Sequence, residues 1–437
     1  MEKDIIIPLH ILAGVFQKIT DPKKLVRLQL ISKDLKPHVD IALKRADWKG
    51  LCENEIGHYA LSTIIKPILP KTSYDDFNDI TLQSKWMKIY HSYLNWCKCL
   101  NSDRSLRQFS SKSCMWNRFF AYDKNTITCL DVWSGYIVVG STKGTIHVFA
   151  NFFLIKPRYI IKTGSKKINK IKIWLTASEE LLIVSLDVDG YVRFWDIKQK
   201  TEKFTNTSKI TDGIDLYINT SRNLYVVKET RILRLQLLPT YPNQLKSSEC
   251  DFDLAKETCR ILTLNFFEPH KISVFVRAGM DFILYSNVYD EPEDLNMSNV
   301  QEEPMPYMYV DMDANWPFVS FNNQSLMYLS HNCLNILNHF DYWRAFHMNR
   351  YFGGFITSIA WHGHYFLLGL EYGVIHIFYV ENLACLEEST SVLYDTPMRI
   401  LKVDSKPIIG IKVGQILDMP IIIAVTENDI YKIAIDE

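Results

Sequence analysis

From about residue 107 onward the chain repeats one short pattern: two runs rich in Ile, Val, Leu, Tyr and Phe, a tight polar turn, and a third such run. A unit of this kind cannot bury its apolar faces alone, so the repeats must pack on one another. Two units are well formed, ITCLDVWSGYIVVGSTKGTIHVF closing at Phe149 and NKIKIWLTASEELLIVSLDVDGYVRFWD closing at Asp196, and five looser ones follow. The tight turns centre on Gly144, Gly190, Thr230, Asp281, Asn332, Gly373 and Asn428. They fall about 40 to 55 residues apart, near the period of four-stranded units set around an axis. An array of β-sandwiches is the competing arrangement, but radial closure leaves fewer strand edges open. The pattern predicts a mainly β body over residues 107–437.

Residues 1 to about 106 have a different texture. Pro8 suits a first helical position, where its missing N–H costs nothing. Behind it Ile11, Leu12, Val15, Phe16 and Ile19 form one apolar stripe at helical spacing. Asp21 followed by Pro22 marks a helix restart, and Leu25, Leu28 and Ile31 carry a second stripe. A third element runs from Ser32 to Trp48 with an interruption near Pro37. Elements this short do not cover their apolar faces among themselves, and a bare apolar stripe rimmed by Lys and Asp points to a partner.

The chain has 49 basic and 49 acidic residues, a formal net charge of +0. That balance supplies no global attraction to nucleic acid or to an anionic membrane, so neither is an expected partner. Nine cysteines lie scattered without a CxxC pair, which reads as a reducing compartment, cytoplasmic or nuclear. The opening MEKDIIIPLH has no long apolar core of a signal peptide, and no run of 18 apolar residues suggests a membrane span.

Ser185, Asp189, Gly190 and the pair Trp195-Asp196 match the S-x-x-x-D-G…W-D signature of WD repeats. The resemblance implies a seven-bladed WD-repeat β-propeller over 107–437, with Ser185, Asp189 and Trp195 as the polar network inside a blade. The segments IPLHILAGVFQKI, DPKKLVRLQLISKDL and DWKGLC resemble an F-box over residues 1–52, although His10 and Leu35 stand where the family pattern usually has Glu and Trp. KWMKIYHSYLNW is similar to the helical segment, here 53–106, that joins an F-box to WD repeats in substrate receptors of cullin–RING ubiquitin ligases. The resemblance implies a small all-α F-box docking on a Skp-type adaptor, and through it on a cullin–RING scaffold. Pro8, Leu9, Leu12, Val15, Phe16, Leu28 and Ile31 would make the adaptor contact. Such a subunit performs no bond chemistry and needs no cofactor; it raises the local concentration of a substrate near a reactive thioester.

Recognition by propellers uses the loops at one end of the central channel. Lys143, Ser165, Lys166, Lys167, Lys228, Arg231 and Arg277 are expected there, and KTGSKKINKIK carries five lysines without an acid. A cluster of this kind takes an acidic or phosphorylated protein segment by charge-assisted hydrogen bonds. Asp187, Asp189, Glu229, Glu371 and Glu427 occupy equivalent turns, so the face is mixed in sign. The acidic stretch 289–304, which includes Ser298, reads as a solvated insertion.

No H-E-x-x-H, Walker or dinucleotide pattern is present. Cys97 and Cys99 point apart on a helix, and His362 and His364 straddle a glycine turn as surface or packing residues, so no metal site is expected. Two alternatives remain: a WD-repeat scaffold without a ubiquitin-ligase role, and a propeller glycosidase, which would need a pair of inward carboxylates.

Overall fold

The structure is a computed structural model, and it describes residues 14–16, 18–29, 36–69, 82–101, 106–110, 125–152, 154, 156–164, 166–176, 179–204, 210–219, 222–237, 244–251, 259–268, 271–278, 281–290, 295–296, 301–304, 318–322, 325–330, 333–338, 342–381, 392–416 and 419–435.

The N-terminal part is helical: α1 (Pro22–Gln29), α2 (Lys36–Leu43), α3 (Trp48–Glu55), α4 (His58–Ile68) and α5 (Gln83–Asn101). Pro37 lies in the first turn of α2, where no intrahelical donor is lost; residues 30–35, the start of the element expected from Ser32, lie outside the described residues. Asp47 caps α3 by accepting the Gly50 N–H at 2.9 Å. Trp48 opens that helix, is 2% exposed, and donates its indole N–H to the Leu43 carbonyl at 2.7 Å. One apolar core runs from Phe16 and Leu25 through Val39, Trp48, Cys52, Leu61 and Ile65 to Trp86 and Tyr90. The expected division at residue 52 therefore passes through a continuous core, because α5 supplies Trp86 and Ile89 to the same cluster as α1–α3.

The rest is mainly β: seven antiparallel sheets among the described residues. In chain order the first sheet is Ile127–Trp133, Tyr136–Ser141, Thr145–Phe149 and Tyr159–Lys162; the second is Ile168–Leu175, Leu181–Asp187, Val192–Asp196 and Glu202–Lys203. The third spans Asp215–Ile218 to Leu245–Asp251, the fourth Cys259–Glu268 to Gln301–Pro304, the fifth Phe318–Asn322 to Tyr342–His347, and the sixth Ile356–His362 to Arg399–Lys402. The seventh holds Gly410–Ile416, Met419–Val425 and Ile430–Ile435, and its fourth strand is Leu106–Ser110, the first strand among the described residues.

The second strands Leu181–Asp187 and Tyr365–Leu370 are buried on both faces, which is why they read as unbroken apolar runs rather than alternating ones. Each such Leu, Ile or Val contributes about 1.5–3 kcal/mol of apolar burial. Neighbouring sheets meet along their first strands. Asp131 accepts the Ile173 N–H at 2.8 Å, Lys170 reaches Asp215 at 3.1 Å, Tyr217 meets Thr263 at 3.1 Å, and Thr357 donates to the Ile408 carbonyl at 2.8 Å. The fourth and fifth sheets touch through Cys259–Glu268 and Phe318–Asn322, and the fifth and sixth share an apolar core. Lys412 of the seventh sheet then lies 3.7 Å from Asp131 of the first, so the succession closes on itself.

Two sequence readings need correction. The acidic stretch 289–304 is not simply a solvated insertion: Leu295–Asn296 and Gln301–Pro304 both pair with Asp281–Asp290. Asp281 begins a strand rather than centring a turn.

Candidate functional site

The sheets have two ends, and the chain treats them differently. One end carries the turns between second and third strands, together with the connections from each fourth strand to the next sheet. In the second sheet Asp187 is 4% exposed, and its carboxylate accepts the backbone N–H groups of Asp189 and Tyr191, both at 3.0 Å. This is the local turn that a short acidic side chain makes with backbone two residues on. Gly190 completes it at φ +82°, where a Cβ would stand 3.1 Å from the Asp212 backbone. Behind the turn, Trp195 donates its indole N–H to the Ser185 hydroxyl at 2.8 Å.

Asp189 was expected in that network and is not in it. It is exposed and faces Lys166 at 3.2 Å, because Asp187 already occupies the inward position. Other sheets close the same end with other chemistry. In the seventh, Asp404 accepts from Thr426 at 3.1 Å and from Tyr431 at 2.5 Å; burial, then this carboxylate, pushes the Tyr431 phenol up and keeps it protonated. In the first, Ser141 meets Thr145 at 2.6 Å and Thr145 meets His147 at 3.0 Å, with the His147 imidazole lowered to about 4 by burial.

The basic residues expected to bind a substrate all belong to this end. Lys143 lies in the turn of the first sheet, with its backbone N–H on Asn125 at 3.1 Å. Lys167 is exposed, and its carbonyl accepts the Val188 N–H at 2.9 Å. Lys166 pairs with Asp189, while Lys228 and Arg231 share Glu249 at 3.3 and 3.9 Å. Arg277 sits one residue before the end of its strand, opposite Arg260 and Phe282. Ser165 lies outside the described residues. Lys166, Lys228 and Arg231 are thus already engaged in ion pairs, each worth about 0–1 kcal/mol. Sequence reading missed these partners, yet a repeat announces one of them. Residues 157–166 and 397–406 share P-x-x-I-[IL]-K-x-x-S-K. Lys406 meets Glu427 at 2.5 Å as Lys166 meets Asp189, each a carboxylate in the next sheet's turn.

At the opposite end, where first strands turn into second strands, α4 and α5 pack on the sixth and seventh sheets. Thr63 accepts the Gly363 backbone N–H at 2.6 Å. Gly363 has φ +58°, and a Cβ there would stand 3.1 Å from Ile64. Ser92 donates to Gln415 at 2.9 Å. The Trp96 ring lies 4.6 Å from His362 and 6.2 Å from Tyr365, and the Tyr93 ring 5.8 Å from His364. His362 is 2% exposed and its imidazole is lowered to about 3, chiefly by burial. Burial likewise holds Tyr365 protonated. The two histidines are packing residues of this seam.

Of the residues expected to meet an adaptor, Val15 is 49% exposed but Phe16 is 4% exposed. Phe16 joins the helical core with Leu25 and Val39, so it is removed from the exposed stripe. Leu28 belongs to α1, its side chain lying outside what is described; Pro8, Leu9, Leu12 and Ile31 also lie outside the described residues, as does Ser298. Ile41 on α2, at 50% exposure, is an apolar surface residue that the sequence did not single out.

No group of three or more His, Cys, Asp or Glu side chains arranged to hold a metal occurs among the described residues. No described helix is long and apolar enough to cross a membrane. A family model described as the Pep3/Vps18/deep orange beta-propeller domain matches residues 283–435. This supports a propeller-type protein for the β part. No curated protein matches the chain.

Proposed function

We propose that this chain is the non-catalytic substrate-recognition subunit of an SCF-type cullin–RING ubiquitin ligase. In this reading residues 1–52 are an F-box that docks on a Skp-type adaptor through Pro8, Leu9, Leu12, Val15, Leu28 and Ile31. The seven sheets are the blades of a WD-repeat propeller, closed by Leu106–Ser110 in the last blade. An acidic or phosphorylated protein substrate meets the end that carries Lys143, Lys166 and Lys167, in the cytoplasm or nucleus.

The observation that carries this reading is the seam. α4 and α5 lie against the His362–Tyr365 turn and Gln415 through Thr63, Ser92 and Trp96. A receptor must hold its substrate at a set distance from the transferring enzyme, and a helical arm packed on the propeller supplies that distance. The charged turns lie at the other end of the sheets, open to a partner.

The test is co-purification of the full chain with a Skp-type adaptor. Wild type should hold the adaptor; Leu12→Asp and Val15→Asp should lose it while melting like wild type. Phe16 is unsuitable for this purpose because its burial makes Phe16→Asp a folding mutation. Absence of a complex with wild type would favour the second reading, a propeller scaffold without a ligase role. The match over 283–435, which lies wholly in the β part, is the observation behind that alternative.

A further inference from the structure

The outer edge between the first and second sheets carries an uncompensated charge. Tyr159–Lys162 is the fourth strand of the first sheet, paired on one side with Thr145–Phe149; no described strand pairs on its other side. Side chains alternate along it: Ile161 is buried, while Arg158, Ile160 and Lys162 are exposed on one face, Ile160 at 46%. Thr163 and Arg158 donate their N–H groups to the Gly144 and Val148 carbonyls on the paired side, so within the strand the backbone groups of Ile160 and Lys162 point to the open edge, while Arg158, just before it, contributes its side chain only. From the second sheet, Lys200 stands 5.1 Å over the Tyr159 ring, which Arg158 approaches at 5.4 Å. Lys156 and Lys198 are also exposed nearby in the chain. Among the described residues no carboxylate pairs with Lys156, Arg158, Lys162, Lys198 or Lys200, and Asp196 is engaged by the backbone N–H groups of Lys198 and Gln199 at 2.7 and 2.8 Å.

We propose that this edge is a docking strand for an extended acidic segment of a partner protein, which adds beside Tyr159–Lys162 with acidic, apolar and acidic side chains at alternate positions over Arg158, Ile160 and Lys162. Main-chain hydrogen bonds supply the pairing and the outward stripe supplies the choice of sequence. Lysines on an edge strand are a common guard against strand pairing. The guard reading leaves Ile160 without a role, and it does not require lysines from the next sheet. Charges that repel a basic or neutral strand admit an acidic one. The open edge favours a peptide over a membrane or a nucleic acid, neither of which uses unpaired backbone groups in this register. The related strand Arg399–Lys402 is a built-in control: Ile400 is 58% exposed and Lys402 is exposed, but half-buried Met398 stands at the position equivalent to Arg158, so one of the two cations is missing. This docking strand is independent of the ligase reading.

The test is fluorescence anisotropy of the full chain with a labelled Thr-Glu-Thr-Ile-Thr-Glu-Thr peptide. Wild type should bind, more tightly at low salt. Arg158→Glu with Lys162→Glu should weaken binding by about tenfold or more, Ile160→Asn should weaken it about threefold or more, and Lys402→Glu should leave it unchanged. N-methylation of the peptide amides that face the strand should abolish binding, whereas methylation on the other side should not. No binding by wild type, equal binding of both methylated peptides, or loss on Lys402→Glu equal to that of the double reversal would each overturn the proposal. Capture of phosphatidylserine vesicles or single-stranded DNA in place of the peptide, with the same dependence on Arg158 and Lys162, would also overturn it.

Discussion

The two ends of the β sheets are built on opposite principles. At the helical end, Trp96, His362, Tyr365 and Gly363 meet in a buried seam of packed rings and backbone against α4 and α5. At the other end Lys166–Asp189, Lys228–Glu249 and Lys406–Glu427 are exposed or half-exposed ion pairs. A buried aromatic contact is lost whole or kept whole, whereas an exposed ion pair exchanges partners at little cost. The first end therefore suits the fixing of geometry and the second suits recognition.

The contrast breaks first at Trp96. Trp96→Ala should cost about 3–5 kcal/mol by thermal or denaturant unfolding, since it removes the ring packed on both His362 and Tyr365. A loss below about 1 kcal/mol would mean that the arm is not anchored there. Acid should attack the same seam. The His362 imidazole sits at about 3 in the fold against an ordinary 6.5, so the unfolded chain takes up the extra proton as pH falls. This contribution is complete above about pH 6.5, falls by on the order of 2 kcal/mol by pH 5, and is exhausted as pH passes down through the folded value. His362→Phe should flatten that slope in a pH series of melting curves.

Smaller effects belong to the charged end. Trp195→Phe should cost about 1–3 kcal/mol because it strands the Ser185 hydroxyl inside the second sheet. Asp189→Asn should change stability by about 0.5 kcal/mol or less, since only an exposed pair with Lys166 is lost. Equal costs for the last two variants would restore Asp189 to the inner network. Lys166→Glu with Lys167→Glu should likewise leave melting nearly unchanged; unaltered substrate capture by that variant would remove this turn from the recognition surface.

Much of this was legible in the residues. The turns at Gly144, Gly190 and Gly373 were identified because a turn that needs positive φ calls for glycine wherever it occurs. Fourth strands were missed: Glu202–Lys203 is two residues long, and Leu106–Ser110 finds its partner only at Ile430–Ile435, beyond the reach of any local pattern. The adaptor stripe was harder to read. Val15 and Phe16 are neighbours of equal apolarity, yet one faces water and the other the core. Helical spacing defines a stripe but not what lies across from it.

By itself the amino-acid order determined a helical start, a mainly β remainder and the positions of several turns, because those depend on contacts within a few residues. Only the tertiary structure decided that Asp187 rather than Asp189 caps its turn, that Lys166 and Lys406 are already paired, and that His362 lies under Trp96. Each of those outcomes depends on which distant segment is brought alongside, and burial and charge compensation are properties of that meeting rather than of either segment alone.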